Sequence, residues 1–164
     1  MDGMKRHPGL FLFLCAALAV MMARPAAAKT VALDDDLTRI NLGRTMEILE
    51  DPAGKWSIQD VSGTVLSTSF RQSGDDYPVF GFTRSAYWAR FSVTNRNDRP
   101  IEWCLEVAHP QMERINLYMV DNEGMLMEER ASGDILPFSS REIPFVNAVF
   151  SFTDQSTRIG ISRA

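Results

Sequence analysis

The sequence has few of the residues that most often carry metal and nucleophilic chemistry. Its 164 residues include two cysteines and two histidines. Only Cys104 and His109 lie beyond the first 28 residues, which are interpreted below as a removable leader. One cysteine and one histidine are too few for a His/Cys zinc site. A lone cysteine also excludes an intrachain disulfide, and its apolar context predicts a buried side chain.

Sequence motifs of common enzymes are absent as well. There is no Gly-x-Ser-x-Gly elbow, no Gly-x-x-x-x-Gly-Lys loop and no Gly-x-Gly-x-x-Gly turn. A glycosidase needs only two carboxylates, but no motif favours one. Asp34, Asp35 and Asp36 are consecutive, yet no glycine-centred loop follows them, so a mobile tail is favoured over a calcium site. We therefore predict no enzyme, no cofactor and no metal.

The N-terminus has the layout of a secretory signal peptide. Lys5 and Arg6 precede an apolar stretch over residues 9–23, and Ala26 and Ala28 offer small residues at a cleavage site. The stretch is shorter than the ~18 residues of a usual membrane-spanning helix. We expect residues 1–28 to be removed and the chain to be periplasmic. An uncleaved segment, or a place within a larger receptor, would instead tether it to the membrane.

The rest of the chain is mildly acidic. Residues 29–164 contain 14 basic and 20 acidic side chains, a net charge of −6. Nucleic acid binding needs clustered Lys and Arg, so no nucleic acid partner is predicted. The same balance makes the domain a poor candidate for electrostatic docking on anionic lipid.

Alternating apolar and polar residues predict a series of short β-strands. Residues 86–94 and 101–108 alternate on either side of a polar turn and suggest an antiparallel hairpin. Further strands are expected at 45–49, 114–120, 125–129, 143–153 and 158–162, and one helical turn at 57–61 capped by Ser57. Many short strands and little helical periodicity indicate an all-β sandwich. The predicted core is Tyr87, Phe91, Leu105, Val107, Ile115, Leu117, Phe150 and Phe152.

The candidate ligand-binding residues lie on three successive strands, on the faces opposite the predicted core residues. If these strands are neighbours in one sheet, one face combines charged, amide and aromatic groups, which suit sugars and small organic ligands. A solvated outer sheet face would show the same pattern. The candidates are Trp88, Arg90, Glu106, Asn116 and Tyr118.

Four segments together resemble a known family. They are EDPAGKWSIQDV (50–61), FGFTRSAYWARFSVTN (80–95), EVAHPQMERINLYMV (106–120) and GDILPFSSREIPFVNAVF (133–150). In this order they are similar to the extracellular type-2 domain of bacterial seven-transmembrane receptors with diverse intracellular signalling modules (7TMR-DISM). The resemblance implies a periplasmic, jelly-roll-like antiparallel β-sandwich, similar to carbohydrate-binding modules, that precedes a membrane region and a signalling output.

The resemblance sets the expected domain organisation. A signal peptide (1–28) and a polar lead (29–36) precede a single domain (37–164), without membrane or output modules. The strand at 158–162 is expected to lack a partner, as if a last strand were missing. Such an unpaired edge favours self-association, so a homo-oligomer is one expected state.

Two functions are therefore expected from the sequence. The first is a sensory domain of a signal-transduction receptor that binds a carbohydrate or another small molecule. The second is a structural interaction domain that packs against a membrane receptor or signalling partner without a ligand. A pocket would favour the first and a flat face the second.

Overall fold

Nine β-strands account for most of the regular structure in the computed structural model. The structure describes residues 30–163 apart from 110, 122 and 154–156, with the backbone alone for 157–163. The strands are β1 (Thr30–Leu33), β2 (Glu47–Asp51), β3 (Arg71–Gln72), β4 (Ala86–Asn95), β5 (Glu102–Val107), β6 (Ile115–Val120), β7 (Leu126–Ser132), β8 (Ala148–Thr153) and β9 (Thr157–Arg163).

Seven of these strands form one large sheet. Its order is β3-β2-β4-β9-β6-β7, and β1 adds to β4 as a parallel strand. β1 and β2 lie on the same side of β4, with β2 along its first half and β1 along its second half. The lead segment therefore contributes a paired strand, and the expected mobile tail is wrong for Thr30–Leu33.

The last strand lies inside this sheet. β9 pairs with β4 on one side and with β6 on the other, in antiparallel registers that include Arg90↔Gly160 and Tyr118↔Gly160. The prediction of an unpaired strand at 158–162 is wrong, because both of its backbone edges are hydrogen-bonded. The edge next to β6 is instead β7, where Glu128, Glu129 and Arg130 discourage the addition of another strand.

The remaining two strands form a second, smaller sheet. β5 pairs with β8, so that Trp103 lies opposite Phe152 and Leu105 lies opposite Phe150. The expected hairpin between β4 and β5 is wrong, because β4 is already paired on both sides. The polar turn after β4 instead carries the chain across from one sheet to the other.

The main core fills the space between the two sheets and confirms the all-β sandwich. Of the predicted core, Phe91, Leu105, Ile115, Leu117, Phe150 and Phe152 are buried, whereas Val107 and Tyr87 are half-buried. Leu117 has no exposed surface, which is the expected position for a residue at the centre of a packed interior. The core also includes Val31, Leu33, Val93, Met119 and Ala148.

A second core covers the other face of the large sheet. Leu49, Trp88 and Tyr118 point to this face and pack against Ile58 and Val61. The latter two belong to the short helix α1 (Ile58–Ser62), which is followed by α2 (Thr64–Ser67). Ser57 caps α1 with a reciprocal bond to Asp60, as predicted, and thereby fixes where the helix starts over the sheet.

Candidate functional site

The five predicted ligand-binding residues do not form one surface. Trp88 and Arg90 lie on β4, whereas Asn116 and Tyr118 lie on β6, with β9 between the two strands. Glu106 belongs to β5 and therefore to the other sheet. The premise that three successive strands are sheet neighbours is wrong, because β5 pairs with β8.

Two of the five residues are core residues. The rings of Trp88 and Tyr118 stack with centroids 5.5 Å apart, and the two side chains are 3% and 8% exposed. Burial, together with a hydrogen bond to Glu129, raises the pKa of the Tyr118 phenol above its usual value. α1 covers this face through Ile58 and Val61, so neither ring offers a free surface to a ligand.

Arg90 is neutralised within the domain. Its Nε donates to Glu47 Oε2 at 2.7 Å, and the Glu47 side chain is only 3% exposed. The guanidinium also lies over the ring of Phe70, 4.0 Å from the centroid. This arrangement stabilises the join between β2 and β4.

Glu106 and Asn116 have different surroundings. Glu106 accepts hydrogen bonds from Arg39 Nη2 at 3.3 Å and from Asn147 Nδ2 at 2.6 Å, on the outer face of the small sheet. Asn116 is half-buried, and its amide lowers the pKa of the Tyr118 phenol against the larger effect of burial. The role of Asn116 and Glu106 in ligand binding stays a prediction. Cys104 is exposed on the same outer face as Glu106, so its predicted burial is wrong.

The structure places a different candidate site between the edges of the two sheets. A groove of about 460 Å³ opens where β5 and β8 face the ends of β6 and β7. Its aromatic wall is the cross-strand pair Trp103 and Phe152, whose rings stack at 4.2 Å with an interplanar angle of 11°. The lining residues are Trp103, Met119, Met127, Glu128, Arg130, Ser151, Phe152 and Thr153.

Arg130 organises the polar side of this groove. It holds Glu128 Oε1 at 2.8 Å and Glu142 Oε2 at 3.3 Å, and it donates to the carbonyl of Ser151 at 2.6 Å. Its guanidinium lies 4.8 Å from the centroid of the Phe152 ring. The hydrogen bond to Glu128 and the charge of Glu142 raise the pKa of Arg130, and Arg130 in turn lowers the pKa of the Glu128 carboxyl, so the groove keeps fixed charges near neutral pH.

The groove offers side chains that can hold an organic ligand. It combines two stacked rings and two thioethers with carboxylate and hydroxyl groups, and it has no cysteine or histidine in its lining. Within the part of the chain that the structure describes, no group of three His, Cys, Asp or Glu side chains is arranged to hold a metal ion. Such a groove can hold an organic ligand by stacking and hydrogen bonding.

A second depression of about 570 Å³ lies beside the turn after β1. Arg99 Nη2 donates to Asp35 Oδ1 there at 2.7 Å, and Asp34 and Glu102 also line it. Its lining has no aromatic ring. It offers no ring on which an organic ligand could stack, so we take the groove at Trp103 as the candidate site.

Comparison with known proteins assigns the family. Residues 43–160, well over half of the chain, match the family described as 7TMR-DISM extracellular 2. No curated protein gives a significant match. Among the described residues no helix is both long enough and apolar enough to cross a membrane. The chain belongs to the 7TMR-DISM extracellular 2 family, a family of receptor sensory domains.

Proposed function

We propose that this chain is the ligand-binding part of a receptor and that it holds a small, neutral or cationic, hydroxylated molecule in the groove at Trp103. Carbohydrates are the first class to test. The observation that carries the proposal is the half-buried ring of Trp103, backed by the buried ring of Phe152, beside the charged group of Arg130, Glu128 and Glu142. Apolar rings next to hydrogen-bonding groups are the usual means of holding a sugar.

The charge of the groove defines the ligand further. Arg130 is saturated by its two carboxylates and the Ser151 carbonyl, so its positive charge is neutralised internally. Glu128 is 46% exposed and lies at the rim, where it can accept hydrogen bonds from hydroxyl or amino groups. Two carboxylates against one guanidinium leave an excess negative charge, which disfavours anionic ligands such as uronic acids.

A thermal-shift screen of neutral sugars, amino sugars and uronic acids tests this proposal. A ligand at ~100 times its dissociation constant adds ~2.7 kcal/mol to the stability of the folded protein. We expect Met127→Ala and Glu128→Gln to weaken such a hit. Met125→Ala is the matched control, because Met125 is 67% exposed and Met127 is 62% exposed but only Met127 lines the groove.

The outcomes separate the two functions expected from the sequence. A hit that Met127→Ala weakens and Met125→Ala leaves intact supports binding in the groove. A hit that is insensitive to both groove variants places the site elsewhere. If the full screen gives no hit, the proposal fails and the structural interaction domain becomes the better account.

The proposed function requires export. Residues 1–28 lie outside the described residues, so cleavage after Ala28 rests on the sequence. N-terminal sequencing of the protein from cell envelopes should find Lys29 as the first residue. An intact Met1 in the membrane fraction would show that the segment is an anchor.

A further inference from the structure

The small sheet leaves one strand edge without a partner. β5 pairs with β8 on one side, and no described strand lies on its other side. Ser151 of β8, which lies opposite Cys104, shows how the free groups are oriented. The N–H of Ser151 donates to Glu142 and its carbonyl accepts from Arg130, so this pair of residues exchanges no hydrogen bonds across the ladder. The N–H and C=O groups of Cys104 therefore point away from β8.

Glu102 and Glu106 have the same orientation as Cys104, because every second residue of a strand points the same way. Within the part of the chain that the structure describes, no backbone group or side chain forms a hydrogen bond with the N–H or C=O groups of these three residues. We call this row of backbone groups on Glu102, Cys104 and Glu106 the open edge of β5. Unpaired donors and acceptors in a row are a template for a further strand.

The other strand edges are less suited to pairing. On the free edge of β8, Glu142 and Arg130 already occupy the backbone of Ser151. β1 and β3 have only four and two residues. β7 carries charged side chains on both of its faces, at 128–130. β5 has six residues, and its charged side chains lie on the outer face alone and share one sign. It is therefore the strand that a partner can extend.

Space for an added strand remains beside the open edge. Residues 34–39 approach β5, but they form no backbone hydrogen bond with it. Arg39 reaches the Glu106 carboxylate through a side chain that is 81% exposed. Asp34, Leu37 and Glu102 all line the depression of about 570 Å³, so the segment is not packed against the start of β5. A partner segment can therefore reach the backbone at Glu102 and displace Arg39 from Glu106.

The charged groups around the open edge favour a basic partner. Residues 34–39 and 96–106 contain six carboxylates and three guanidinium groups. Two guanidinium groups are neutralised internally, Arg39 by Glu106 and Arg99 by Asp35. The groups without an ion pair among the described residues are one guanidinium, that of Arg96, and four carboxylates, those of Asp34, Asp36, Asp98 and Glu102. The balance is therefore negative after every internal pair is counted.

We propose that the open edge binds an extended polypeptide segment with Lys or Arg at two alternate positions, which adds to the small sheet as a third strand. The two basic side chains would lie beside Glu102 and Glu106 on the outer face, and the residue between them beside Cys104. A second copy of this chain fits less well. Antiparallel pairing of two β5 strands about Cys104 would place Glu102 of one copy opposite Glu106 of the other.

This inference goes beyond the proposed function and does not depend on it. None of the three residues of the open edge lines the groove at Trp103. Binding of a strand and binding of a small ligand are therefore measured separately, and failure of one proposal leaves the other unaffected.

Disulfide exchange with Cys104 tests the occupant. The chain without residues 1–28 retains every described residue and has Cys104 as its only thiol. The probe is the peptide Thr-Lys-Val-Cys-Val-Lys-Thr, activated with thionitrobenzoate on its cysteine. Attack of the Cys104 thiolate on the peptide sulfur forms the mixed disulfide and releases the coloured thionitrobenzoate anion. We expect this peptide to react at least ~10-fold faster than the same peptide with Glu in place of both Lys residues.

Two controls separate strand addition from attraction between charges. N-methylation of both lysines keeps the charge of the peptide and removes the N–H groups that face β5, so it should abolish most of the rate advantage. In the protein, Glu102→Lys should lower the ratio of the Lys-peptide rate to the Glu-peptide rate at least ~3-fold. The ratio cancels any change in the reactivity of the thiol itself. Glu123→Lys is the matched control, because Glu123 is exposed and precedes Gly124, which lies beside Ser62 of α1.

Amide hydrogen exchange supplies a readout without the thiol. With the peptide Thr-Lys-Val-Ser-Val-Lys-Thr, exchange of the Cys104 and Glu106 amides should become slower. The Trp103 and Leu105 amides, which face β8, should not change. The proposal is overturned if the Lys and Glu peptides react at equal rates, if N-methylation has no effect, or if Glu123→Lys acts like Glu102→Lys. It is equally overturned if neither edge amide slows, or if the chain dimerises through β5 and excludes the peptide, which would make the occupant a second copy.

Discussion

Arg90 Nε lies 2.7 Å from Glu47 Oε2, across the boundary between β4 and β2. The carboxylate is almost fully buried, whereas the Arg90 side chain keeps 24% of its surface exposed. Phe70 closes the other side of the guanidinium. Arg90 is thus an internal partner of Glu47, and its charge stabilises the sheet on the face that α1 covers.

Removing the carboxylate should therefore destabilise the domain. Glu47→Gln leaves Arg90 partly buried without its counter-charge, which we expect to cost about 2–3 kcal/mol in the free energy of unfolding. Urea denaturation measures this cost. Arg39→Ala is the control, because the Arg39–Glu106 pair is exposed and its loss should cost under ~1 kcal/mol. Equal effects of the two substitutions would show that the buried ion pair contributes no more to the free energy of unfolding than the exposed pair does.

Trp88 should behave as a core residue rather than as a ligand platform. Trp88→Ala removes the ring that stacks on Tyr118 and leaves a cavity under α1, which we expect to cost about 3–5 kcal/mol. Trp88→Phe should cost less, because most of the ring volume remains. Tyr77→Ala, at a 78% exposed position, should leave the melting temperature unchanged. A Trp88→Ala protein as stable as the parent would contradict the second core.

Strand positions followed from the sequence, but strand pairing did not. Alternation located β4, β5 and β6 and placed Phe91, Leu105 and Leu117 in the main core. Pairing depends on contacts between residues far apart in the chain, and sequential strands are neighbours only as a tendency. Here β9 inserts between β4 and β6, and nothing in its local pattern indicates this.

The second core was missed for a related reason. A strand that is buried on both faces carries large side chains at every position, so alternation does not reveal its second buried face. Trp88 and Tyr118 are also amphipathic and therefore compatible with a polar face. Only the covering segment around Ile58 and Val61 resolves the ambiguity. The sequence did indicate the helical turn and its cap at Ser57, but not which surface the turn covers.

The groove depends even more on tertiary structure. Trp103 and Phe152 become a stacked pair only through the β5–β8 register, and Arg130 reaches them from the large sheet. The aromatic content around Trp103 was visible in the sequence. No local motif connects it with Arg130 or Glu142, so these residues could not be predicted as a group.

Alkaline pH should destabilise the domain through Tyr118. Burial of the phenol raises its pKa above that of the unfolded chain, so the folded state holds the proton more tightly. Its contribution to stability is complete below the unfolded pKa of about 10 and is lost as the pH rises through the higher folded value. The urea concentration at the unfolding midpoint should therefore decrease as the pH is raised from about 9 to about 11.

Tyr118→Phe isolates this contribution, because Phe retains the ring that stacks on Trp88 and cannot ionise. The variant should show a smaller decrease in the urea midpoint over the same pH range. Tyr77 and Tyr87 remain in both proteins and supply a common background. An identical pH profile for the two proteins would mean that Tyr118 ionises equally easily in the folded and unfolded chain.

Gly133 should not tolerate any side chain. It directly follows β7 and has a φ of +132°, a conformation that L-residues rarely adopt, and a Cβ there would overlap the carbonyl of Glu113. The turn it forms lets Ile135 N–H donate to the same carbonyl at 3.2 Å and Asp134 N–H donate to Met112 at 2.9 Å. These bonds place the segment that carries Glu142 to the groove.

We therefore expect Gly133→Ala to lower stability by about 2–4 kcal/mol, through backbone strain and the clash with Glu113. Gly74→Ala is the matched control, since a Cβ there meets nothing within 4 Å and its φ lies in the ordinary range. That substitution should be neutral or stabilising by up to ~1 kcal/mol, because it restricts only the unfolded chain. Melting temperatures of the two variants give the comparison. If the Gly133→Ala and Gly74→Ala variants have the same melting temperature, the turn after β7 accommodates a side chain without loss of stability. The position of Glu142 beside Arg130 then does not depend on a glycine at residue 133.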